Sequence, residues 1–378
     1  MGRWKRALTG VAHRVETHFD RVKEYVAEAI PGERGRPRIE AYRGFGTPER
    51  IYLRGRVLRG LAPPPPGEAD SALLNLAAMI QRFESDEVPG VRVAARFAGR
   101  YWEAVTDEEG YFDLWLDPHR VEPGHLWQEV VLELPDHIDP EGRTVRALGL
   151  ALVPPPESRF GVISDLDDTV VKTGVATPLR MARTIFFGNA RTRIPFPGVG
   201  AFYRALQQGA GETSFNPVFY VSSSPWNLYD LLTEFLTLRK IPLGPLTLRD
   251  WGISQDELLP TGHGGHKLVA IRRILDTFPD LPFILLGDSG QEDPEIYHRV
   301  VHDYPERILA VYVRDVSGTP FRGAAIRALA DEVTEAGSTL LLTPDTEVAA
   351  EHAASRGWIT RELLEEVRRE CAAESEGG

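Results

Sequence analysis

The sequence has one cysteine, Cys371, in 378 residues, and only three methionines. A single thiol excludes an intramolecular disulfide framework and a cysteine-built zinc site, and it fits a reducing compartment. No apolar run approaches the length needed to span a bilayer. Arg3, Lys5, Arg6 and Arg14 precede the first acid, Glu16, but no apolar segment follows them, so the N-terminus does not read as a secretory leader. Positive charge is also short: the net charge of -12 weighs against a nucleic-acid partner, because phosphate backbones demand a broad basic surface. A soluble cytoplasmic protein is expected, of a length suited to two domains.

The first of the patterns present is helical. Trp4, Leu8, Val11, Val15, Phe19, Val22, Val26 and Ile30 recur at three- and four-residue intervals, which predicts an amphipathic helix over residues 1–32. The favoured reading is that this helix packs on the protein with a solvated polar face; its basic first half could instead suit an anionic membrane surface. Residues 38–153 then read as a β-sandwich-like accessory domain. Strands are expected over Ile39 to Tyr42, Ile51 to Leu58, Val91 to Phe97, Tyr111 to Leu116, Val130 to Leu134 and Ala147 to Val153, with a helix over Ser71 to Phe83. This half carries no constellation of catalytic residue types. Pro154-Pro155-Pro156 marks a boundary, after which residues 157–378 form the second domain.

There the rhythm changes. Strand candidates at 160–164, 218–221, 283–286 and 308–313 alternate with helix candidates at 198–208, 227–239 and 267–278, which predicts a Rossmann-like parallel α/β sheet. Ligand sites in such sheets lie beyond the carboxyl ends of the strands. The first strand ends in Asp165-Leu166-Asp167-Asp168-Thr169, the second in Ser222-Ser223-Ser224, and the third in Gly287-Asp288 with Asp293 five residues on. Lys267 follows the glycine-rich Thr261 to His266 and is expected to open the helix before that third strand.

Each residue type has a physical role. Two carboxylates two residues apart on an extended strand point the same way, at a cost unless a cation joins them. Asp165, Asp167, Asp288 and Asp293 are candidate ligands for Mg²⁺, a hard cation that prefers oxygen. A serine hydroxyl and the Lys267 ammonium suit phosphoryl oxygens, and Thr169 orders the loop beside them. An aspartate beside a metal can attack phosphorus, and a second one can move the proton. His263 and His266 lack a third nitrogen or sulfur ligand and make a poor zinc site. Arg180, Arg183, Arg191 and Arg193 would meet anionic headgroups or form a solvated face, and Trp226 touches substrate or begins a helix as a buried aromatic.

The ordered set, together with D-L-D-D-T-V-V-K-T, F-Y-V-S-S-S-P-W-N-L-Y-D and G-D-S-G-Q-E-D-P-E-I-Y, resembles the haloacid dehalogenase superfamily. More narrowly, it resembles the phosphatidate phosphatase family typified by the fungal actin-patch enzyme. The resemblance implies a fold of that type with a minimal cap, and Mg²⁺-dependent hydrolysis of phosphatidate to diacylglycerol. It implies Asp165 as nucleophile and Asp167 as acid-base, with the Asp167 backbone carbonyl on the metal. It further implies Ser222 and Lys267 as phosphoryl ligands, and Asp288 with Asp293 at the metal. The intervals 170–217 and 226–266 leave little room for a lid domain, and an open site suits a phosphate carried on something large, such as a membrane lipid. The rival expectations are a phosphatase of soluble phosphate esters or nucleotides, and an adaptor that keeps the fold as a scaffold.

Overall fold

The computed structural model describes residues 36–60, 86–122, 124–138, 142–166, 197–211, 215–249, 263–316 and 320–376. The N-terminal amphipathic helix, the Ser71 to Phe83 helix, Asp167, Asp168, Thr169 and the arginines from Arg180 to Arg193 lie outside them.

Nine described strands of the first half join through hydrogen bonds in one sheet: β1 (Pro37–Ala41), β2 (Gly44–Gly46), β3 (Ile51–Arg59), β4 (Asp86–Glu87), β5 (Arg92–Phe97), β6 (Arg100–Val105), β7 (Tyr111–Leu116), β8 (Trp127–Ile138) and β9 (Thr144–Leu152). All pairings are antiparallel except that of β2 with β9. Strand β6 was not expected, because its burial is too weak to leave an alternating apolar signature. In β8, Gln128, Val130 and Leu132 turn inward while Glu129 and Val131 turn out, as a two-residue period requires. Leu53, Val57, Val93, Phe112, Leu114, Val130 and Leu132 meet in one buried cluster.

The second half is a six-stranded parallel sheet of β10 (Gly161–Asp165), β11 (Val218–Pro225), β12 (Leu246–Arg249), β13 (Phe283–Asp288), β14 (Ile308–Arg314) and β15 (Leu340–Thr343). The spatial order is β12-β11-β10-β13-β14-β15. The chain therefore builds outward from β10 in one direction and returns to build in the other. That reversal opens a crevice at the carboxyl ends of β10, β11 and β13.

Seven described helices pack on the sheet: α1 (Val199–Gln208), α2 (Tyr229–Leu238), α3 (His263–Thr277), α4 (Asp293–Asp303), α5 (Pro320–Glu335), α6 (Thr346–Ser355) and α7 (Arg361–Glu376). Alternation along the strands sorts them by face. Val162, Tyr220, Ile284 and Tyr312 join a core with side chains of α1, α2, α6 and α7. Their neighbours Ile163, Phe219, Leu285 and Val311 join another with α3, α4 and α5. Two consecutive apolar faces explain the unbroken apolar runs of these strands.

Three expectations are corrected. The stretch His263 to His266 is the first turn of α3, not a glycine loop, so Lys267 sits one turn inside the helix. Burial of Leu268, Ala270, Ile271, Ile274 and Leu275 outweighs the poor helix propensity of Gly264 and Gly265. Strand β11 continues through the serines to Pro225, because β12 pairs with it again at Pro225–Arg249 after a register shift. Trp226 to Leu228 form a 3₁₀ turn before α2. Helices α4 and α5 were not anticipated.

Candidate active site

Asp165 is the last residue of β10 and is buried, its side chain 3% exposed. Its Oδ1 lies 2.8 Å from Lys267 Nζ, carried by α3 on one face of the sheet. The same ammonium donates to Asp293 Oδ1 at 2.9 Å and to Gln291 Oε1 at 3.3 Å. Asp293 opens α4, where the positive end of the helix dipole favours a carboxylate. Its Oδ2 accepts the Asp288 backbone N–H at 3.2 Å, so both of its oxygens are held. The Asp288 side chain accepts the Gly290 N–H at 2.6 Å. Asp165, Asp288 and Asp293 are all buried and offer carboxylate oxygens within 4.8 Å of one another.

The loop after β13 is built for this close approach. A Cβ at Gly287 would lie 2.7 Å from both Asp293 Oδ2 and Tyr297 Cε2, so only glycine lets the strand pass so near the helix. Tyr297 donates to the Leu286 carbonyl at 2.7 Å and locks the first turns of α4 to β13. Arg322 of α5 donates to the carbonyls of Ser289, at 3.0 Å, and Gln291, at 2.6 Å. Ser222 is fully buried one residue beyond Val221, the register partner of Asp165, and its Oγ accepts the Ser224 N–H at 3.0 Å.

A cavity of about 60 Å³ adjoins the carboxylates, lined by Asp165, Tyr203, Asp288, Arg314, Asp345 and Thr346 among others. Burial pushes the Arg314 guanidinium down to about 9, so it remains cationic at neutral pH. Its Nη2 donates to Thr346 Oγ1 at 2.8 Å. Burial likewise pushes the Tyr203 phenol up to about 12, and its hydroxyl lies 2.5 Å from Ser164 Oγ. The sequence reading missed both residues. Arg314 ends a parallel strand and could have been found by the strand-end rule, whereas nothing in the local pattern distinguishes Tyr203 on its helix.

The structure thus brings together Asp165, Lys267, Asp288 and Asp293, with Ser222 one residue beyond the register partner of Asp165, while Asp167 and Thr169 lie outside the described residues. Trp226 is the buried aromatic of the alternatives: it stacks on Tyr42 with ring centroids 4.3 Å apart. Arg56 Nη1 reaches Asn227 Oδ1 at 3.4 Å, and the Arg43 N–H reaches the Tyr229 hydroxyl at 2.9 Å. The N-terminal sheet therefore braces the segment that follows the serines.

Fold and site together define an α/β protein with carboxylates and a lysine gathered at the reversal point of a parallel sheet, a place to hold a cation and an anion side by side. Residues 160–315 match the family model described as phosphatidate phosphatase APP1, catalytic domain, so this segment resembles a phosphatidate phosphatase-like family. The chain is 35% identical over 161 residues to phosphatidate phosphatase APP1 of Saccharomyces cerevisiae, covering 42% of this chain and 26% of the yeast protein. An uncharacterised protein of Schizosaccharomyces pombe is 31% identical over the same length, covering 42% of this chain and 25% of that protein. The match thus spans about a quarter of these relatives. Among solved structures, a carbohydrate acetylesterase from Xanthomonas citri is 12% identical over 71% of this chain and 65% of that one, at a TM-score of 0.25, too distant to bear on fold or function.

Proposed function

We propose that this protein is a Mg²⁺-dependent phosphatase of the haloacid dehalogenase type that hydrolyses phosphatidate to diacylglycerol and phosphate. The observation that carries the reading is Lys267 held between Asp165 and Asp293 at the reversal point of the sheet, inside the segment similar to the phosphatidate phosphatase family. Three buried carboxylates against one ammonium favour a bound dication, and an all-oxygen donor set fits Mg²⁺. Asp165, Asp288 and the backbone carbonyl of Asp167 would hold it, with Asp293 supporting through its tie to Lys267. When bound, the ion supplies charge neutralisation and orientation of phosphoryl oxygens.

Asp165 attacks phosphorus through a carboxylate oxygen, and the bond from phosphorus to the ester oxygen breaks. Asp167 gives its proton to the departing alkoxide. Water then attacks the aspartyl phosphate, Asp167 takes a proton from it, and phosphate leaves with Asp165 restored. Lys267 and the Ser222 hydroxyl hold the phosphoryl oxygens, and Thr169 orders the adjoining loop. Residues 157–378 are assigned to this phosphatase domain and 38–153 to a sandwich-like accessory domain. A cytoplasmic protein that meets its lipid at the membrane surface completes the proposal.

The test is phosphate release from phosphatidate in mixed micelles, with and without Mg²⁺, for the native chain and Asp165→Asn, beside a panel of soluble phosphate esters. Mg²⁺-dependent release from the lipid, lost in the variant, is expected. Release from soluble esters alone would remove the lipid assignment, and no release from any substrate would favour the adaptor.

A further inference from the structure

We propose that His298, His302 and Glu332 form a surface site for a transition-metal dication of the zinc class, clamping α4 to α5. His298 and His302 are four residues apart on α4, so both imidazoles rise from one face of the helix. Their ring centroids are 4.6 Å apart. Glu332 approaches from α5, with Oε2 2.8 Å from His298 Nε2. One donor atom from each of the three residues lies within 4.8 Å of the others. Zinc bonds of about 2.0–2.1 Å at tetrahedral angles place donors roughly 3.3–3.5 Å apart, within a small side-chain rotation of this arrangement.

The donor set separates this site from the carboxylate cluster described above. Two imidazole nitrogens and one carboxylate suit Zn²⁺, Ni²⁺ or Co²⁺, whereas Mg²⁺ seeks oxygen. Solvent reaches the group: the side chains of His298 and Glu332 are 22% and 57% exposed, which leaves a fourth position for water. The nearby Arg299 pairs with Asp303 at 3.7 Å, so its charge is partly offset.

The place in the fold gives the site a consequence. Helix α4 begins at Asp293, and α5 carries Arg322, which holds the carbonyls of Ser289 and Gln291. An ion bridging the later turns of both helices would fix the pair that frames the Asp288 to Asp293 loop. The inference does not depend on the phosphatase reading.

The experiment is calorimetric titration of Zn²⁺ into untagged full-length protein, with thermal unfolding in parallel, for the native chain, His302→Ala, Glu332→Gln and Asp288→Asn. One Zn²⁺ per chain is expected that Asp288→Asn retains and that His302→Ala and Glu332→Gln each weaken at least tenfold. Saturating Zn²⁺ should raise the melting temperature of the native chain by about 2–5 °C, with equal Mg²⁺ giving no such rise in the Asp288→Asn chain. His302 is exposed, so its replacement leaves the fold intact, and circular dichroism checks this. Equal Zn²⁺ stoichiometry and affinity in the native chain and both clamp variants, or loss of the ion in Asp288→Asn alone, would overturn the proposal.

Discussion

Replacing Lys267 by methionine keeps the length of the side chain and removes the charge between two buried carboxylates. At 2.8 Å from Asp165 and 2.9 Å from Asp293, each ion pair has a gross attraction of about 6 kcal/mol at an effective dielectric constant of 20. Most of that offsets desolvation of the charges, and breaking a buried pair by removing one partner costs a net 3–5 kcal/mol or so. What remains is three carboxylates within 4.8 Å and no ammonium among them. Urea unfolding of Lys267→Met in metal-free buffer at pH 7 should therefore show a loss of about 3–5 kcal/mol. Two further signs follow from the same charges. Acidification to pH 5 should recover part of the loss, because protonation of the carboxylates relieves their repulsion. Mg²⁺ should stabilise the variant more than the native chain, since the site has one more negative charge, and the proposed phosphatase activity, in which Lys267 holds phosphoryl oxygens, should be lost. A loss below about 1 kcal/mol that is indifferent to pH and to Mg²⁺ would refute the view of these residues as one electrostatic unit.

The remaining predictions concern a close approach and a titration. Gly287→Ala forces a methyl group into the space between Asp293 and Tyr297, so chemical denaturation should show a loss of about 1–3 kcal/mol, and kcat should fall more than KM rises. An unchanged stability and kcat would mean that the loop yields freely. Burial, helped by Arg356, holds the His352 imidazole below its ordinary value, and its Nδ1 pairs with the Tyr312 hydroxyl at 2.9 Å. The unfolded chain thus takes up the proton first as pH falls, so the stability owed to this group is present above about pH 6.5 and is lost below it. The native chain should lose its urea midpoint more steeply than His352→Gln between pH 7 and pH 5, and parallel profiles would refute the assignment.

The local sequence determined which residues could carry chemistry and on which elements. Apolar runs bounded by turn residues marked β10, β13 and β14, and the strand-end rule drew attention to Asp165, Ser222 and Asp288. These signals are legible because burial on both faces demands consecutive apolar residues, and functional groups must follow where the strand leaves the core. Local pattern failed where distant contacts decided the outcome. Gly264 and Gly265 read as a loop, yet the apolar stripe that follows them pulls the helix back to His263. Strand β11 outran its apolar segment because β12 offered it a partner.

Only the tertiary structure placed β10 between β11 and β13, and only that order puts Lys267 between Asp165 and Asp293. It also turned Tyr203 and Arg314 into one cavity wall, stacked Tyr42 on Trp226, and brought Glu332 to His298. The physical reason is range. A residue's own neighbours set its helix face or strand side, whereas distances between side chains remote in sequence follow from sheet order, register and helix packing, which the chain fixes cooperatively.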